Sequence, residues 1–273
     1  METPTVSPRL AIIQLHPIKA LDPVQVKEAR IGLGGSLEFD RVWALYSADG
    51  QWVNGKRTAA IHLIRAAYAP DLTSVTLSVP SDRRTPTKTF AFPGGSADAA
   101  QWFSAFFEQP ITVRYSAEGF PDDTVANGPT IISTASLDAV ATAFPGLTAS
   151  DMRLRFRTTL EVDGVPAFWE DQLFSAETNI FVPFRIGEVQ FEGSNPCVRC
   201  PVPPRNPQTG AIIPGFQKTF SDYRRSHIPG WTPEARFDHY YRLATNTRVA
   251  PAEAGKTLRV GDSVVLDLKQ ATV

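Results

Sequence analysis

The stretch Asn195-Pro-Cys-Val-Arg-Cys-Pro-Val-Pro-Pro-Arg-Asn-Pro-Gln-Thr-Gly210 limits the fold more than any other part of the chain. It holds five prolines, two arginines and both cysteines of the protein. Each proline removes a ladder donor and fixes φ, so a core strand cannot carry so many. The expectation is a stiff loop that holds Cys197 and Cys200 in a set place. The same punctuation runs through the whole chain. Its 23 prolines and 18 glycines over 273 residues favour many turns and short strands over long helices.

The Cys-x-x-Cys spacing has several chemical readings. A zinc site needs four ligands. Here there is no second cysteine pair, and His16, His62, His227 and His239 lack ligand spacing. A thioredoxin-like dithiol wants a helix opening just after the first cysteine, and Pro201, Pro203 and Pro204 oppose one. A single thiolate on a soft metal is the third reading, with Arg199 beside it favouring the ionised sulfur. Two inert loop thiols are the fourth.

Bulk numbers exclude several classes. Hydrophobic content of 42% and charged content of 20% are those of a soluble globular protein. A net charge of −1 argues against an electrostatic grip on nucleic acid or acidic membrane. No apolar run is long enough to span a bilayer. Met1 to Pro8 lacks the pattern of a signal peptide.

Along the chain, Leu10–Leu15, Ala29–Leu33 and Asp40–Tyr46 read as strands, and Asp49-Gly50 as a hairpin turn. Ser74–Val79 alternates with period two. Ser96 is the expected cap of a helix burying Trp102, Phe103, Phe106 and Phe107. The polar segment from Gly119 to Gly128 is a candidate boundary between units. Beyond it, Ser133 or Thr134 caps a helix carrying Leu137, Val140, Ala141 and Phe144. Phe181–Phe191 is expected as a strand pair, 216–227 as partly helical, and Val264–Leu268 as the last strand. Met152–Thr158, if extended, puts Arg153, Arg155 and Arg157 on one face. Like charges so arranged call for a bound anion or for carboxylates opposite. Many short strands and few helices predict a β-rich α+β protein.

Arg199-Cys200, then Asn206-Pro-Gln-Thr-Gly210, then Leu258-Arg-Val-Gly-Asp262 resemble the C-terminal half of a MOSC domain, the molybdenum-cofactor domain of the mitochondrial amidoxime-reducing proteins and their bacterial relatives. His16-Pro-Ile-Lys19, Phe39-Asp-Arg41 and Ala99-Ala-Gln-Trp102 resemble, in order and spacing, the β-rich domain that precedes it. The resemblance implies a MOSC-associated β-rich domain over 8–122 packed against a MOSC β-barrel over 123–270. It implies that Cys200 ligates molybdenum and that Cys197 is a bystander. Lys19, Ala20, Arg41, Ser133, Thr134, Ala135, Arg157, Thr159, Val198, Arg199 and Asn246 fall at the family's cofactor-contacting positions. This chain reads Phe-Arg-Thr-Thr where the family has Phe-Arg-Pro-Asn, so Thr159 stands in for an asparagine. Asp171 lies near a family Glu-Asp pair and is a candidate proton relay.

The implied activity is reduction of N-hydroxylated small molecules, such as amidoximes and hydroxylamines, by oxygen removal at the cysteine-ligated metal. No flavin, ferredoxin or anchor segment is evident before Val273. A separate electron-donor protein of ferredoxin, flavodoxin or cytochrome b5 type is therefore expected, in the cytoplasm, with no nucleic-acid or membrane partner. The alternatives are a carrier of cofactor or sulfur, and a metal-free barrel that binds some other anion.

Overall fold

The computed structural model describes residues 7–121 and 125–266. In chain order its first strands are β1 (Arg9–Leu15), β2 (Val24–Val26), β3 (Glu28–Arg30), β4 (Trp43–Ser47), β5 (Arg65–Tyr68), β6 (Ser74–Ser78) and β7 (Lys88–Ala91). Helix α1 (Ser96–Phe107) and β8 (Ile111–Tyr115) follow. The second half holds β9 (Ile131–Ser133), α2 (Thr134–Ala141), α3 (Ala149–Phe156), β10 (Leu160–Asp163), β11 (Val182–Ile186) and β12 (Val189–Val198). It ends with α4 (Phe216–Ser226), β13 (Arg242–Arg248), β14 (Thr257–Arg259) and β15 (Val264–Leu266).

An eight-stranded sheet runs in the order β15, β11, β12, β13, β9, β10, β1, β2. β1 also reaches back to the start of β15. Arg9 bridges Ser263, the Leu10 N–H donates to the Asp262 carbonyl at 2.8 Å, and the Val264 N–H donates to the Pro8 carbonyl at 2.9 Å. Seven strands thus close into a barrel, with β2 attached to β1 outside the ring. Period-two residues fill its interior, among them Leu160 and Val162, Phe184 and Ile186, and Val189 and Phe191. Closure leaves few sheet edges to protect.

A second core lies under β4–β8 and β5–β6–β7, where Trp43, Leu45, Val75 and Leu77 meet Trp102 and Phe103 of α1. Gly95, not Ser96, caps that helix, and no side chain takes part. A third core joins α2, α3 and α4 through Leu137, Val140, Met152, Phe156, Phe216 and Phe220. Strand pairing does not divide at residue 122. β1 and β2 belong to the barrel sheet, and β3 pairs β14.

Two expected strands are shorter than their patterns. Asp40 and Arg41 form a turn before β4, and β3 stops at Arg30. Asp267 and Leu268 lie outside the described residues. The stretch 152–158 is not extended at all, because it belongs to α3. Thr148 and Asp151 form a reciprocal capping box, and Met152 and Phe156 sit one helical turn apart on the buried face. The three arginines consequently diverge. Arg153 pairs with Glu161, Arg155 is buried, and Arg157 ends the helix in a left-handed conformation. Among the described residues, no helix is long and apolar enough to cross a membrane.

Candidate functional site

A cavity of about 410 Å³ opens between the first half of the chain and the barrel with its helices. The first half contributes Lys19, Ala20, Asp40, Arg41, Asn54, Lys56 and His62. The second contributes Gly128–Thr130, Arg155–Arg157, Cys197–Cys200 and Asn246. Lys19, Ala20, Arg41, Arg157, Val198, Arg199, Cys200 and Asn246 therefore line one cavity.

The backbone at several of these positions is unusual. Ala20, Arg41 and Arg157 all have positive φ, at 77°, 55° and 53°. Each left-handed non-glycine residue costs about 1 kcal/mol or more, and such strain gathers at functional sites. The turn after β1 is pinned to β4 by two hydrogen bonds. Lys19 N–H donates to the Trp43 carbonyl at 2.8 Å, and Trp43 N–H donates to the Pro17 carbonyl at 3.1 Å.

The walls are cation-rich. Lys19, Arg41, Lys56, Arg155, Arg157 and Arg199 line the cavity, against Asp40 and Glu118. Most of these cations are engaged. Arg41 pairs with Asp40, whose other oxygen accepts from the His16 N–H at 2.7 Å. Lys19 Nζ donates to the Phe120 carbonyl at 2.8 Å and lies 4.5 Å from the Trp52 ring centre. Arg155 donates to the carbonyls of Pro203 and Arg205, at 2.9 and 2.7 Å. Arg157 differs: its side chain makes no hydrogen bond or ion pair with the described residues. Burial, and then repulsion from Arg41, pull its pKa down to about 10, so it stays charged at neutral pH. Half-buried on the cavity wall, its guanidinium is placed to receive an anion that enters the cavity.

The cysteine segment is only partly a loop. β12 runs through Pro196 and Cys197 to Val198, with register shifts on both sides of Pro196. Such bulges are where a strand tolerates proline. The stiff loop starts at Arg199. It folds on itself through the Asn206 side chain, which accepts from the N–H groups of Gln208 and Thr209 at 2.8 and 3.1 Å. It is held from outside by Arg155 and by Arg65, which donates to the Pro207 carbonyl at 3.0 Å. Both thiols are free and line the cavity. Arg199 does not rest on Cys200 as its sequence neighbourhood suggests. It donates to Cys197 Sγ at 3.1 Å and to the Phe156 carbonyl. No group of three or more His, Cys, Asp or Glu that could hold a metal ion exists among the described residues, which disfavours zinc.

Ser133, Thr134, Ala135, Thr159 and Asp171 do not line the cavity. The N-terminus of α2 already has an acceptor: Ser133 N–H and the Ser136 hydroxyl donate to Glu170 Oε2 at 3.1 and 2.9 Å. That carboxylate fills the place a phosphate would take. Thr134 is near Glu161, with its hydroxyl 3.5 Å from the carboxylate. Thr159 is buried, and its N–H donates to the hydroxyl of Thr130, which lines the cavity in its stead. Asp171 is buried against Arg224 and accepts from the Thr232 hydroxyl at 2.6 Å. Burial raises its pKa and Arg224 opposes that. It is a structural carboxylate rather than a relay into the cavity.

Sequence reasoning missed His62 and the Asn54–Lys56 turn. His62 sits in a short apolar 3-10 turn with no motif around it, so only the fold reveals its place.

Comparison with known proteins agrees with this architecture. The family model for the MOSC N-terminal beta barrel domain matches residues 7–110, and that for the MOSC domain matches residues 129–265. Among solved structures, the YuaD protein from Bacillus subtilis is similar at 9% identity, covering 95% of this chain and 94% of that chain, with a TM-score of 0.35. That likeness is too distant to support further argument. No curated protein matches. MOSC domains are associated with molybdenum-cofactor-binding and sulfurase-like proteins. With its barrel, its preceding β-rich unit and the second match spanning about half of its residues, the chain belongs to the MOSC domain family.

Proposed function

We propose that the protein is a molybdenum-cofactor-dependent oxidoreductase that reduces N-hydroxylated small molecules, amidoximes and hydroxylamines among them. The observation that carries this reading is one cavity holding both a free thiol, Cys200, and a guanidinium with no acceptor among the described residues, Arg157. A pterin dithiolene cofactor with a phosphate tail needs a soft sulfur for the metal and fixed cations for the tail. The residues present suit both needs.

In this reading Cys200 holds the metal, while Arg157, with Lys19 and Arg41 beside it, holds the anionic tail. Asn246 and the backbone around Ala20 line the same space. Bound there, the cofactor supplies two-electron oxygen-atom transfer, which side chains alone cannot perform. The chain's own contribution is placement. The braced 199–210 loop fixes the thiol, and the Asp40–Arg41 pair fixes one cation. The net reaction converts an N–OH group to N–H and water, and it consumes two electrons and two protons. The electrons come from a separate carrier protein.

The test is metal and pterin content of Cys200→Ser and Cys197→Ser, with amidoxime turnover on reduced viologen. Cys200→Ser should lose turnover and bound molybdenum, and Cys197→Ser should keep the metal. Full molybdenum and activity in Cys200→Ser would reject the assignment. Full cofactor with no turnover in the parent would make the protein a carrier instead.

A further inference from the structure

β12 reaches the cavity through a break in its alternation. Val189 and Phe191 fill the barrel core, and Gly193 follows on the same side. Unbroken pairing would send Asn195 inward as well. Instead the register shifts between Gly193 and Asn195, with Ser194 as the extra residue. The shift turns Asn195 outward, opposite Asn246. Asn246 faces that way because its neighbours Thr245 and Thr247 are fully buried on the other side. A second shift follows between Pro196 and Val198, and there Ala244 of β13 has a φ of 69°. Bulges gather beside active sites because they re-aim a side chain.

Asn195 and Asn246 both line the cavity. Directly opposed residues of a sheet are neighbours, with Cβ atoms about 5 Å apart. The Ser194 hydroxyl, 2.8 Å from Asn195 Oδ1, holds one end of that carboxamide. Asn195 Nδ2 makes no hydrogen bond with the described residues, and neither does the Asn246 side chain. The cavity wall is otherwise rich in cations, which serve an anion. This rung is neutral. It offers a directional donor and acceptor side by side, which suits the uncharged polar part of a small molecule.

We propose that Asn195 is a specificity residue whose Nδ2 donates to the N–OH oxygen of the substrate, while the Asn246 carbonyl oxygen beside it accepts from an N–H on the adjoining atom. The substrates so selected carry an amino group next to the hydroxylated nitrogen, as amidoximes and N-hydroxyguanidines do. Loss of the oxygen removes the acceptor for Asn195, so the rung holds the substrate more tightly than the product. The inference rests on the reading of the cavity as the site of N-hydroxyl reduction, and it specifies how that site tells substrate from product.

The experiment uses the full chain made in a cofactor-producing host, oxidised and without reductant, so that binding is measured without turnover. Benzamidoxime and benzamidine are the two probes, titrated calorimetrically into the parent, Asn195→Leu and Asn195→Asp. Molybdenum content and unfolding temperature are measured on the same samples. Asn195→Leu should bind benzamidoxime about tenfold or more weakly and benzamidine as the parent does. Asn195→Asp keeps the shape without the N–H donor, and it should lose benzamidoxime affinity too. Equal benzamidoxime affinity in the parent and both variants would overturn the proposal. So would no benzamidoxime binding by the parent, or an equal loss for both probes, which marks a merely structural role. Loss of molybdenum from Asn195→Leu would overturn it as well, for the rung then serves the cofactor. If the parent binds benzamidoxime through Asn195 but carries no molybdenum, or does not turn over with reduced viologen, the redox reading fails and this inference stands.

Discussion

Glu170 offers the sharpest quantitative test of the physical account. Its carboxylate is fully buried, with Oε2 accepting from Ser133 N–H and the Ser136 hydroxyl and Oε1 without a partner. Burial first, and then the neighbouring Asp171 charge, raise its pKa from 4.5 to about 7. The folded state therefore holds this proton more tightly than the unfolded chain. Its contribution is fully present below about pH 4.5 and is lost as pH rises through about 7. A change of that size corresponds to about 3 kcal/mol, reduced to about 1–3 kcal/mol because Asp171 shares the titration.

Glu170→Gln keeps an acceptor oxygen for both donors and removes the charge. The substitution has its own fixed cost, because the new amide N–H groups meet no acceptor. That cost is the same at every pH. The pH-dependent part is what the charge alone supplies. Relative to the parent, the variant should gain about 1–3 kcal/mol between pH 5 and pH 8. Urea unfolding followed by tryptophan fluorescence at several pH values measures both slopes. Parallel pH profiles for the two proteins would refute the argument, for then the carboxylate is either hydrated or ionised throughout.

Two further substitutions test the packing and the cavity. Gly193→Ala would put a Cβ 1.7 Å from the Leu173 carbonyl oxygen, so backbone must move, and a loss of about 3 kcal/mol is expected; an unchanged urea midpoint would sink it. Arg157→Met should leave cofactor-free stability intact or improved. It should also weaken cofactor retention about tenfold or more, judged by molybdenum left after dialysis, because a charge-assisted hydrogen bond is lost.

The sequence made some elements legible and hid others for identifiable reasons. Helix α2 was readable because Ser133 is a strong cap followed by apolar residues at helical spacing. The β11–β12 hairpin was readable from its alternation around Gly187. Residues 152–158 misled because Arg-x-Arg-x-Arg also alternates, and the Thr148/Asp151 box that decides for helix lies just upstream. Within the site, Lys19, Arg41, Arg157 and Cys200 were found through their flanking motifs. His62 has none. Ser133 and Asp171 looked functional by position, and their buried partners Glu170 and Arg224 are far enough away in sequence to be invisible there.

The way the barrel shuts has a consequence for biogenesis. Leu10 is hydrogen-bonded to Asp262, so staves about 250 residues apart in sequence must meet before the ring is complete. A ribosome delivering this chain exposes the first stave's apolar side chains, Leu10, Ile13 and Leu15, long before their neighbours emerge. Closure of the ring is thus deferred until the strand after Asp262 has emerged, and the interval is one in which chaperones have the most to protect.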